Sequence, residues 1–246
     1  MKNKVIIIFV QLIISSFAAN SQNADEIIRK VEKNMSSDNR IFESTMTISG
    51  TRSSRTITSR TFSEGDRKSF TEYLSPAREQ GTKMLKLENQ LWIYSPSTDR
   101  IIQISGHMLR QSVMGSDLSY EDMMDDRKIT EVYNAEVSGN EETDSRKTWI
   151  ISLTAKVPDV AYFKRKMWID SERYVPLKEE LYAKSGQLLK RISFSDVKLI
   201  DNRWFPTKMI YKDMLRQGNG TEFIITSAKF NQPIPDYVFS KASLKQ

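Results

Sequence analysis

The spacing of apolar residues changes along the chain. Ile27, Ile28, Val31 and Met35 recur at intervals of one, three and four, the pattern of a helix with one apolar stripe. Asn23 and Glu26 stand in capping-box order at its start, so a helix is expected from about Ala24 to Met35. From Phe42 the period drops to two. Phe42, Ser44, Met46 and Ile48 alternate with Glu43, Thr45 and Thr47 until Gly50. Short strand-like segments follow at 55–62, 67–75, 82–88, 91–96 and 100–105, separated by polar turns. The second half repeats the style at 147–155, 162–170, 175–183, 188–200, 204–213 and 221–230, with hairpin signals at Ser185-Gly186 and Gly218-Asn219-Gly220.

About ten to twelve strands are therefore expected, with no helices alternating between them, which excludes a doubly wound parallel sheet. The expected fold class is mainly β with a few helices (α+β). A single curved antiparallel sheet would form an incomplete, half-open barrel, with helices covering its concave face as a lid. No linker rich in Pro, Gly or Ser divides the chain, so residues 22–246 are expected to form one domain.

The first residues change the picture of where the protein works. Lys2 and Lys4 precede an apolar run over Val5–Val10 and Leu12–Ile14, and small residues lead to Ala19 and Ser21. That order is a secretory signal, with cleavage expected after Ser21 and a periplasmic destination. The chain has no cysteine, so it offers no lipid-anchor cysteine, no disulfide and no thiolate metal site. Net charge is +6, with Lys2 and Lys4 inside the leader and the remaining positive residues dispersed. Export argues against nucleic acid as a partner; anionic membrane surfaces or acidic partners fit the charge better, and a plain solvated surface fits it better still.

Between the two sets of strands lies an island of different character, 105–127. Four of the 11 methionines, Met108, Met114, Met123 and Met124, sit here with Leu109 and Val113. Methionine adapts to irregular apolar partners, and Gly106 and Gly115 punctuate the stretch. These six apolar residues are expected to form a movable lid over Gly106–Met124 that contacts acyl chains or other hydrophobic cargo. Ser119 to Asp122 is a second capping-box pattern and starts a short helix near Tyr120. Trp92 and Tyr94 share one face of their strand, and Leu91 and Ile93 share the other. Trp92 and Tyr94 are expected to pack in the core or to line the cavity, each with a polar handle.

Catalytic chemistry finds little support in these residues. His107 is the sole histidine, and no Gly-x-Ser-x-Gly elbow accompanies it. Glu121, Asp122, Asp125 and Asp126 lack the order of a calcium loop, and two of them suit a helix start. Gly218 to Thr221 lacks the lysine and spacing of a phosphate loop. No enzyme, cofactor or metal is expected.

The stretch around Leu91-Trp92, Tyr94, Pro96, Arg100, Gly115-Ser116-Asp117 and Tyr120-Glu121-Asp122 resembles the signature of the bacterial outer membrane lipoprotein-sorting protein family. Residues 202–214 and 233–244 are similar to that family's Trp-x-Pro strand and its Asp-x-x-Phe-Ser ending. The family is related in fold to the periplasmic lipoprotein carrier LolA and its outer-membrane receptor LolB. The resemblance implies an open antiparallel barrel, a helical lid, an apolar cavity and binding of acyl chains without catalysis. It implies as partners an inner-membrane transporter, of the resistance-nodulation-division or lipoprotein-releasing type, and an outer-membrane acceptor. A monomer is expected. The carrier holds its lid with an arginine, for which Arg52, Arg55, Arg60 and Arg110 are the candidates here. A lipid- or lipoprotein-sensing module is the second reading, and a lipid hydrolase or glycosidase the third.

Overall fold

The alternation of apolar and polar residues becomes thirteen antiparallel strands in a computed structural model that describes residues 24–50, 53–125 and 127–246. The leader and its cut, the cap Asn23, and the candidates Arg52 and Asp126 lie outside the described residues. The first six strands are β1 (Asn39–Ser49), β2 (Ser54–Glu64), β3 (Lys68–Ser75), β4 (Lys83–Leu87), β5 (Gln90–Ser95) and β6 (Arg100–Ile104). The other seven are β7 (Tyr133–Thr143), β8 (Arg146–Ala155), β9 (Lys164–Asp170), β10 (Pro176–Tyr182), β11 (Leu188–Ile200), β12 (Arg203–Asp213) and β13 (Gly220–Phe230).

The strands form one curved, unclosed sheet in the order β6-β5-β4-β3-β2-β1-β13-β12-β11-β10-β9-β8-β7. Two meanders are thus joined where β1 pairs with β13. The two edges, β6 and β7, are consecutive in sequence. The connection between them must therefore travel from one edge of the open sheet to the other.

The count exceeds the expected ten to twelve because β7 carries a weak signal. It is an edge strand with much of its length exposed, and a register shift near Gly139 breaks its alternation. The glycine at 220 is required by geometry. Its φ is +93, and a Cβ there would meet the Tyr211 carbonyl oxygen at 2.5 Å.

Helix α1 spans 24–35, as its apolar stripe predicts. Ile27, Ile28 and Val31 are buried against Ile151, Leu153, Met167 and Ile169 of β8 and β9. Burial of this stripe contributes about 1.5 to 3 kcal/mol for each side chain. Asn34 fixes the end of the helix by donating to the carbonyls of Arg173 (2.8 Å) and Tyr174 (3.1 Å).

Residues directly opposite in paired strands point to the same face. The register from Met167 through Glu179, Ile192, Tyr211 and Thr221 to Ile48 puts the face under α1 on the same side as Met46, Ile57 and Met84. The opposite face is covered at one end by the C-terminal 3-10 turns Asp236–Phe239 and Lys241–Lys245. There Phe239 and Leu244 pack on Phe70, Leu85 and Trp92.

Candidate ligand-binding site

The connection from β6 to β7 is built from two 3-10 turns, Gly106–Arg110 and Val113–Gly115, then helix α2 (Tyr120–Met124) and helix α3 (Ile129–Val132). Ser119 caps α2 as expected. Its hydroxyl accepts from the Asp122 amide, and the Asp122 carboxylate accepts from the Ser119 amide at 2.7 Å. Met114 sits at φ +50, a left-handed turn that helps the chain double back.

All six apolar residues expected in this segment meet on one surface. Met108, Leu109, Val113, Met114, Met123 and Met124 pack with Met84, Leu91, Ile93 and Ile104 of β4 to β6. Val113 is fully enclosed, whereas the methionines stay partly exposed. Met114 also reaches Met46, Ile57 and Tyr73 near the middle of the sheet.

Trp92 and Tyr94 face the other way, which corrects the expected lining. Trp92 is buried under the C-terminal turns, with the Lys241 ammonium 4.1 Å from its ring, and Tyr94 packs in the same cluster. The parity of β5 explains this. Leu91 pairs with Lys86 and Ile93 with Met84, so the odd positions turn towards the covering segment. His107 is exposed in the first turn.

Polar residues tie the segment down, and most of these were not foreseen. Asp117 accepts from the Thr221 hydroxyl (2.8 Å) and from the Asp213 amide (2.9 Å), while its own amide donates to Thr221 Oγ1 (2.9 Å). Arg216 donates to the Ser116 carbonyl at 2.6 Å. Of the arginine candidates among the described residues, Arg55 is the one bonded to the segment, donating to the Met114 carbonyl while pairing with Glu79 at 2.9 Å. Arg60 instead pairs with Glu43. Arg110 lines an outer cleft of about 420 Å³. Lys190 pairs with Asp122, and the Tyr162 hydroxyl donates to Asp122 Oδ1 at 2.5 Å. Burial pushes the Tyr162 hydroxyl far above its ordinary pKa, and the Asp122 charge pushes it further, so it stays a donor.

Two cavities lie beneath the segment. One, of about 320 Å³, is bounded by Leu118 and Asp122 above and by Leu181, Ile192, Phe194 and Tyr211 below. The buried Arg165–Glu179 pair (2.6 Å) stands in its wall. The other, of about 380 Å³, lies between Met123 and strands β1 to β4, with Phe42, Phe223 and several hydroxyls in its lining. Asp125 and Arg127 border both. Each is of the size that ligand sites occupy. Their walls are mixed rather than uniformly apolar, because β2 and β3 place Ser and Thr at inward positions. Among the described residues no cluster of three or more His, Asp or Glu is placed to hold a metal ion.

The family model that matches the chain, over residues 65–246, is described as "Uncharacterized protein". The chain belongs to this family. No curated protein matches it in sequence. A DUF1329 family protein from Desulfovibrio piger is similar in structure at TM-score 0.83 and 23% identity, covering 92% of this chain and 99% of that one. A putative outer membrane lipoprotein-sorting protein domain from Vibrio parahaemolyticus gives TM-score 0.80 and 23% identity over 92% and 100%. A LolA superfamily protein from Nitrosomonas europaea gives 0.73 and 25% over 89% and 98%. The fold is therefore that of the LolA superfamily and of lipoprotein-sorting proteins, as the sequence resemblance implied.

Proposed function

We propose that the protein is a periplasmic carrier that binds the acyl chains of a lipoprotein or another lipid and moves them between membranes. The observation that carries this reading is the open sheet itself. Its two edges are bridged by a methionine-bearing segment with two adjoining cavities beneath. A sheet left unclosed must be filled or covered, and partly exposed methionines can repack around flexible chains. Each methylene withdrawn from water contributes about 0.8 kcal/mol, so partial burial of one chain can hold a lipid across an aqueous gap. The covering segment would open where Arg55 and Arg216 hold its backbone.

In this reading the protein is exported by cleavage after Ser21 and works as a single domain without catalysing a reaction. It receives cargo from an inner-membrane transporter and passes it to an outer-membrane acceptor. Among the described residues no helix is long and apolar enough to cross a membrane. Mass spectrometry of lipid co-purifying with the exported protein tests the proposal, together with binding of a fluorescent fatty acid. Recovery of bound acyl lipid that the fluorescent probe displaces is the expected result. A protein that emerges free of lipid and binds no acyl probe overturns it.

A further inference from the structure

The hydroxyl groups inside the second cavity follow a pattern that breaks at one place. Ser44 on β1 and Ser59 on β2 face each other, Oγ to Oγ at 3.0 Å. Thr61 and Thr71 do the same across β2 and β3 at 2.9 Å. Each pair satisfies itself within the sheet. The next inward pair along that ladder is Ser63 and Ser69. Ser63 is only 5% exposed, and both residues line the cavity. Among the described residues, neither hydroxyl bonds to another protein group. Both hydroxyls therefore open onto the cavity and are free to donate to whatever occupies it.

The surroundings identify what would. Ser69 stands opposite Lys86 on β4, and Arg40, Lys68 and Arg127 also border the cavity, against the carboxylates Asp66 and Asp125. Hydroxyl donors beneath a cationic rim match phosphate oxygens. Phe42, Phe223 and Met123 supply apolar wall beside them. Asp125 and Arg127 also border the neighbouring cavity, the one floored by Leu181, Ile192 and Phe194.

We infer that the Ser63–Ser69 compartment is a head-group site that holds the phosphate of an anionic amphiphile whose acyl chain runs into the neighbouring cavity. This rests on the carrier reading and narrows its cargo to phosphate-bearing lipids. A lipid is favoured over free phosphate because the head-group compartment shares Asp125 and Arg127 with the cavity whose floor is Leu181, Ile192 and Phe194.

Titration calorimetry would compare lauroyl lysophosphatidylglycerol, lauroylglycerol and inorganic phosphate against the native protein and the double variant Ser63→Ala, Ser69→Ala. The native protein should prefer the phospholipid over the matching neutral lipid. The variant should bind the phospholipid about tenfold more weakly and the neutral lipid unchanged. Its thermal unfolding should stay close to native, which separates a lost site from a lost fold. Equal binding of the two lipids by native protein, or an unaltered preference in the variant, overturns the head-group site and leaves the carrier reading standing. Free phosphate binding as tightly as the phospholipid shows an ion site instead and overturns the lipid assignment. Failure of both lipids to bind overturns the carrier reading and this inference together.

Discussion

The Asp117 carboxylate accepts the Thr221 hydroxyl at 2.8 Å and so fastens the middle of the covering segment to strand β13. Both residues are buried. Replacing Asp117 with Ala leaves the Thr221 hydroxyl and the Asp213 amide without this partner. The variant should lose about 2 to 4 kcal/mol in urea unfolding. Amide hydrogen exchange should accelerate chiefly across 106–124. Uniform acceleration over the whole sheet would show that the contact holds the core rather than the segment.

Arg55 holds the segment from the other side, through the Met114 carbonyl. Arg55→Gln should destabilise the fold by only about 1 kcal/mol, since the pair with Glu79 is partly exposed. Exchange of a bound fluorescent fatty acid, followed by stopped flow, should become faster. An unchanged exchange rate would remove Arg55 from the gating of the segment.

Met123 touches both the apolar surface under the segment and the second cavity. Met123→Asp should put a charge in the cargo's path, where desolvation is costly. Fatty-acid affinity should drop at least about tenfold while the melting temperature moves by only a few degrees. A large fall in melting temperature with affinity intact would make Met123 ordinary core.

Trp92 and Leu91 are neighbours on opposite faces, and the two substitutions should separate. Trp92→Ala removes the bed of the C-terminal turns and should cost about 3 to 5 kcal/mol without altering ligand binding. Leu91→Ala opens a hollow under the covering segment and should cost about 2 to 5 kcal/mol while changing ligand affinity as well. Parallel denaturation and binding measurements distinguish them.

Acid sensitivity should come partly from Asp170. Burial raises the pKa of its carboxyl, but hydrogen bonds from Arg146 and from the Glu172 and Arg173 amides outweigh that and hold it below its ordinary 3.8. A depressed folded-state pKa contributes stability above the unfolded value, and that stability is lost as pH falls through the folded value. The native protein should therefore lose stability below about pH 4, and Asp170→Asn should show a flatter acid limb. Denaturant midpoints between neutral pH and pH 2 check this.

Local pattern determined much of this molecule. The stripe of Ile27, Ile28 and Val31 yields α1 because a helix turns every 3.6 residues whatever it packs on. The Ser119 cap was legible because its partner, Asp122, lies within one turn. Twelve of the strands were legible as short segments between polar turns, and β7 was not, because an exposed edge strand needs few apolar positions. The tertiary structure decided what pairing across the chain decides. Which face of β5 turns inward depends on β4 and β6, so Leu91 and Ile93 rather than Trp92 and Tyr94 meet the methionines. Asp117 read as one member of a motif, and its purpose appears only when Thr221, 104 positions away, is brought against it. Ser63 and Ser69 looked like any polar strand residues. Their place as an unbonded pair inside a cavity follows from sheet register and curvature, which no local spacing encodes.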